Sequence, residues 1–222
     1  MLAFSKAAEA GADGIELDVH LSSDGEVMII HDESLLRTTG IDKEVSSLTR
    51  KELEAIDAGN GHGFSPIPSL EEYLDFIKGT SLYTNIELKT SPVYYPGIEE
   101  KTLDLVRRFG LEERVIFSSF NWLSVLYMKK LAPEIPAGLL IDSCAISNIG
   151  YEMRKSGIEC YHPGFGLLSD EAVCELHDNG RRINVWTVDD EDEIRQCMVW
   201  GIDGLITNRA DRAIDIARGG SK

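Results

Sequence analysis

Residues 14–19 read GIELDV, and this alternation decides how the chain is built. Side chains two apart on a strand share a face. Ile15, Leu17 and Val19 therefore share one face, and Glu16 and Asp18 the other. The apolar face calls for a covering layer of helices, and the acidic face points into the interior of the sheet. Residues 84–89, TNIELK, repeat the design, with Glu87 and Lys89 on one face and Ile86 and Leu88 on the other. Reactive residues near the C-terminal ends of several different strands are how a barrel of parallel strands builds a site.

The surrounding sequence supplies the other elements. Residues 1–10 carry Leu2, Ala3, Ala7 and Ala10 at helical spacing, and Gly11 stops the helix. Ser23-Asp24-Gly25 signals a turn, and residues 27–30 form a hairpin-like extension that ends at His31. Residues 32–68 are polar and rich in Gly, Asp and Ser, so they read as a loop insertion with one short helix near 49–56. Ser69 and Glu72 form a capping box that opens a helix to about Ile77. Strands then fall at 82–88, 115–118, 135–140, 159–162, 183–187 and 203–206. Helices fall at 98–109, 122–131, 143–156, 170–178, 190–200 and 209–218, with Pro133 and Gly180 closing two of them.

Strands alternating with helices predict a parallel sheet with helical crossovers. Seven principal strands and eight helices, beginning on a helix, fit an α/β TIM (β/α)8 barrel lacking its first strand. An open doubly wound sheet also alternates, but no Gly-rich phosphate loop follows any strand. Residues 1–222 are thus expected to form one N-terminally incomplete barrel domain.

Composition narrows the function. The 222 residues carry a net charge of −16, which argues against nucleic acid and against an anionic membrane surface. No apolar run is long enough to span a bilayer. Cys144, Cys160, Cys174 and Cys197 lack C-x-x-C or zinc spacing, as expected of reduced thiols in a cytoplasmic protein. No secretory signal is visible.

Any one of the carboxylates reads as ordinary surface charge. Glu16, Asp18 and Glu87 together, inward on neighbouring strands, are costly to bury as anions. A divalent cation, Mg²⁺ or Ca²⁺, removes that cost, because three carboxylates make a hard oxygen site. Lys89 would offset the acidic lining further. His31 ends an apolar run and is able to give or take a proton at neutral pH. His162, before Pro163 at a strand end, is kept as a second residue of the mouth. Trp186 and Phe120 read equally well as walls of a small-molecule pocket or as core.

The stretch GADGIELDVHLSSDGEVMIIHDESLLRTTG resembles the signature of the glycerophosphodiester phosphodiesterase family. IPSLEEYLDFI, NIELK, VIFSSF, INVWTVD and GIDGLITNRAD resemble later blocks of that family, in order. The resemblance implies a barrel enzyme that hydrolyses glycerophosphodiesters to sn-glycerol 3-phosphate and an alcohol. It places metal ligands on Glu16, Asp18 and Glu87, a catalytic His on His31, a phosphate-side Lys on Lys89 and a substrate-side aromatic on Trp186.

The family also opens with a His-Arg-Gly block and a Pro-Glu-Asn-Thr stretch, both absent here. The absent His is the second acid/base of a pair and the absent Arg a phosphate clamp. The reading favoured on sequence is a lost N-terminus of about 20–30 residues, since a strand left without its neighbour exposes an unpaired edge. Two other functions compete: a catalytically impaired barrel that binds phosphodiesters or a partner, and a related phosphodiesterase acting on lysophospholipids. The oligomeric state stays open, a homo-oligomer included.

Overall fold

The computed structural model describes residues 1–219. Two compact units emerge, one made of Met1–Lys6 with Asp13–Val115, the other of Ala7–Ala12 with the chain from Ile116 onward.

The chain opens with α1 (Leu2–Ala10) and β1 (Gly14–Leu21), then β2 (Val27–Ile29). β2 turns back antiparallel on β1, pairing Val19 with Ile29 and His20 with Met28. The turn works because Gly25 adopts φ +80°, where a Cβ would also meet the Lys101 ammonium at 2.6 Å. β3 (Tyr83–Leu88) joins the other edge of β1 in parallel, so the first unit runs β2-β1-β3. Between β2 and β3 lie α2 (Leu36–Thr39), α3 (Arg50–Glu54) and α4 (Leu70–Ile77), and α5 (Ile98–Phe109) follows β3.

Residues 32–68 contain more structure than the sequence suggested. Besides the expected helix at α3, a four-residue α2 and a 3₁₀ turn at Val45–Ser47 are present. Leu35, Val45, Leu53 and Ile67 are almost fully buried with Met28 and Ile30 in a small core beneath this segment. Each such side chain contributes about 1.5–3 kcal/mol relative to exposure, so the insertion is anchored along its length.

α4 begins at the expected capping box. Ser69 Oγ accepts from the Glu72 amide at 3.2 Å, and the Ser69 amide donates to Glu72 Oε2 at 3.0 Å. Tyr73, fully buried on this helix, shares a 2.8 Å hydrogen bond with Thr84 of β3 and packs edge-on to Phe4.

The second unit alternates β4 (Val115–Ser119), α6 (Trp122–Leu131), β5 (Ala137–Ile141), α7 (Ile149–Ser156), β6 (Cys160–Pro163), α8 (Asp170–Asp178), β7 (Arg182–Val185), α9 (Glu191–Trp200), β8 (Gly204–Leu205) and α10 (Ala210–Ala217). β4 through β8 pair in chain order, all parallel. Leu139, Ile158, Ile183 and Val185 from strands and their approaches meet Met153, Leu176 and Ile194 from helices in one core.

The helix expected over 143–156 starts only at Ile149. Asn148 sits at φ +56°, outside the right-handed helical region, and residues 142–148 form an exposed loop. The strand expected over 135–140 is shifted to Ala137–Ile141, with Ile135 in the connection before it.

Candidate metal and acid–base site

Three carboxylates converge in the first unit. The parallel register sets Asp18 opposite Glu87 and Glu16 opposite Asn85. Alternation then turns Glu16, Asp18 and Glu87 to one side, and one oxygen from each lies within 4.8 Å of the others. Asp18 and Glu87 are buried, and Glu16 is half-buried.

Lys89 closes the group. Its Nζ lies 2.9 Å from Asp18 Oδ1 and 2.7 Å from Glu87 Oε1, with the side chain only 13% exposed. Burial favours the neutral amine, but Asp18 and Glu87 together outweigh it and raise the Lys89 pKa. One ammonium does not balance three carboxylates. Burial, with Asp18 and Glu87 adding, pushes Glu16 up to about 8. Burial, then Asp18, pushes Glu87 up to about 7 against the pull of Lys89.

This donor set fits a hard divalent cation. Two oxygens on one ion are at most twice the bond length apart, about 4.2 Å for Mg²⁺ and about 5.2 Å for Ca²⁺. The three carboxylates bring one oxygen each within 4.8 Å of the others, inside the Ca²⁺ limit. A cation would also favour the ionised forms that burial now opposes.

His31 follows β2, and its ring is 67% exposed. Nδ1 lies 2.5 Å from Asp32 Oδ1. Arg37, the second residue of α2, donates from Nε to Asp32 Oδ2 at 2.5 Å and from Nη2 to Oδ1 at 3.0 Å. The Arg37 hydrogen bonds, with His31 adding, hold the Asp32 carboxyl down at about 2. Behind His31, the buried His20 places Nε2 3.4 Å from the His31 carbonyl and Nδ1 3.1 Å from the Tyr95 hydroxyl. Burial above all lowers the His20 pKa.

Sequence reasoning missed Arg37 and Tyr95 and gave His20 no role. His20 was legible in principle, since Glu16, Asp18 and His20 follow one another at strand spacing. Arg37 lies five residues from Asp32, a separation that neither helical nor strand periodicity marks.

The aromatic candidates lie in the second unit. Phe120 and Trp186, both half-buried, meet edge to face with ring centres 5.5 Å apart, and Trp186 Nε1 donates to the His162 carbonyl at 2.8 Å. His162 is not a mouth residue, because it is fully buried in β6, where its ring covers Gly138. Nε2 lies 2.9 Å from Asn184 Nδ2, and burial lowers its pKa to about 3. Among the described residues, no helix is long and apolar enough to cross a membrane.

Known proteins resemble the chain over nearly its whole length. A glycerophosphodiester phosphodiesterase of Caldanaerobacter subterraneus subsp. tengcongensis is 38% identical over 222 residues, covering 98% of this chain and 91% of the relative. The crystal structure of a glycerophosphodiester phosphodiesterase from Parabacteroides distasonis superposes with a TM-score of 0.83 at 25% identity, covering 99% of this chain and 89% of that one. A phosphodiesterase of Oleispira antarctica, solved in complex with the product sn-glycerol-3-phosphate, gives a TM-score of 0.81 at 25% identity, covering 96% and 90%. The fold is thus the α/β barrel type expected from the alternation. The profile of the glycerophosphoryl diester phosphodiesterase family matches residues 1–212. With that match spanning both units and the acidic group inside it, the chain belongs to the glycerophosphoryl diester phosphodiesterase family.

Proposed function

We propose that the chain hydrolyses glycerophosphodiesters to sn-glycerol 3-phosphate and an alcohol, with a divalent cation held by Glu16, Asp18 and Glu87. The observation that carries this reading is the convergence of those three carboxylates within 4.8 Å beside Lys89. A bound Mg²⁺ or Ca²⁺ would supply Lewis-acid stabilisation of charge on the phosphoryl oxygens. The product bound by the Oleispira antarctica relative supports the choice of substrate.

Two of the chain's own side chains act beside the cation. Lys89 adds a fixed positive charge beside the carboxylates, where a phosphate oxygen gains from it. His31 donates a proton to the leaving alcohol oxygen, a contribution of about 10²–10⁴-fold in rate.

The test is release of sn-glycerol 3-phosphate from glycerophosphocholine by this chain, with added Mg²⁺ or Ca²⁺ and again with chelator. Chelator-sensitive release is expected. Release that ignores chelator would remove the cation from the reading, and no release from a folded sample would overturn the activity itself.

A further inference from the structure

We propose that Asp32 and Arg37 are positioning residues that fix the His31 imidazole, tying Nδ1–H to the Asp32 carboxylate and assigning proton transfer to Nε2. The inference rests on the reading that His31 protonates the leaving alcohol.

An imidazole as exposed as that of His31 has no packing to hold its ring, and either nitrogen is able to carry the proton of its neutral form. Here Nδ1 meets Asp32 at 2.5 Å, and Arg37 grips both oxygens of that carboxylate in a two-pronged contact. Arg37 thus holds the Asp32 carboxylate in place beside the ring. The backbone is fixed on both sides as well. Ile30 and Leu35 are buried in the small core, and His20 meets the His31 carbonyl.

The consequence is an ordered proton path. As the oxygen of an attacking water bonds to phosphorus and releases its proton to solvent, the bond between phosphorus and the leaving oxygen breaks; its electron pair stays on that oxygen, which takes the proton from Nε2. The imidazole is left neutral with Nδ1–H still on Asp32. Losing this orientation should cost about ten- to a hundredfold, less than removing the imidazole altogether.

The experiment uses the full chain labelled with ¹⁵N-histidine, with His31→Gln to assign the signal. Spectra are read near pH ~8.5, where an ordinary imidazole is neutral. The wild type is expected in the Nδ1–H form, Arg37→Gln in a mixture of both forms, and Asp32→Asn shifted toward Nε2–H, because an amide is able to donate to Nδ1. On glycerophosphocholine, Asp32→Asn and Arg37→Gln should lower kcat about ten- to a hundredfold with KM within about twofold, and Asp32→Glu should recover part of the loss. A wild-type Nε2–H form, or unchanged tautomer and kcat in both variants, would overturn the proposal. If the wild type turns over no substrate, the tautomer alone decides the positioning, and only the activity reading fails.

Discussion

Asp18 and Glu87 stand opposite each other on adjacent parallel strands, and the single ammonium of Lys89 contacts both, at 2.9 and 2.7 Å. The pairing follows from register. A slip of one residue between β1 and β3 would send one carboxylate to the opposite face of the sheet. The apolar partners Leu17 and Ile86, both buried on the other face, guard against that slip. Packing on one side of the sheet thus enforces chemistry on the other.

Glu87→Gln keeps the shape of the side chain and removes one charged ligand. At a cation concentration about 100 times its Kd, the wild type should gain about 2.7 kcal/mol of stability. A variant binding tenfold more weakly gains only about 1.4 kcal/mol at the same concentration. Thermal unfolding with and without Mg²⁺ or Ca²⁺ measures both. Equal stabilisation of the two proteins would remove Glu87 from the ligand set.

His31→Ala separates chemistry from folding. The ring is mostly exposed, so stability should stay within about 0.5 kcal/mol of the wild type. Loss of a general acid should lower kcat by about 10²–10⁴-fold. A loss under tenfold, measured on a sample with an unchanged melting temperature, rejects the role.

The outline of the fold was legible because its signals are local. The alternation at 14–19 and 84–89, the Ser69–Glu72 cap and the helix over Ile98–Phe109 each need only a few neighbouring residues to read. The convergence of Glu16, Asp18 and Glu87 was legible for the same reason, since strand periodicity alone aims them. What escaped depends on backbone detail or on distant contacts. Asn148 at φ +56° ends any helix before Ile149, yet residues 143–148 show no Gly or Pro to announce it. α2 is four residues long, too short for a periodic pattern, and its place is set by Leu35 in a core that includes Val45 and Ile67. The grip of Arg37 on Asp32 follows from that placement and has no sequence signature of its own.

The same small core gives a stability prediction. Leu35 is fully buried, at the start of the segment that carries Arg37. Leu35→Ala should cost about 2–5 kcal/mol through lost burial and the cavity left behind. Urea unfolding checks this by the shift in midpoint. A cost below about 1 kcal/mol would mean that the 32–68 segment folds independently of its packing. Backbone loosening should also lower kcat, but by less than His31→Ala does.

His162 links stability to pH. Its imidazole is fully buried, Nε2 faces the Asn184 amide, and Nδ1 has no partner among the described residues. Burial first, then the charge of Arg182, lowers its pKa from 6.5 to about 3. Below pH 6.5 the unfolded chain accepts a proton that the folded chain refuses. The contribution of His162 is therefore complete above pH 6.5, declines as pH falls toward 3 and is level below that. The total effect is on the order of a few kcal/mol, since each tenfold loss of proton affinity on folding corresponds to about 1.4 kcal/mol. His162→Gln retains polarity without a titrating group, so its stability between pH 6.5 and 3 should fall less steeply than that of the wild type. Urea unfolding at a series of pH values gives both slopes. Parallel curves would show that the imidazole is protonated equally in the folded and unfolded chains and would remove His162 from the acid sensitivity.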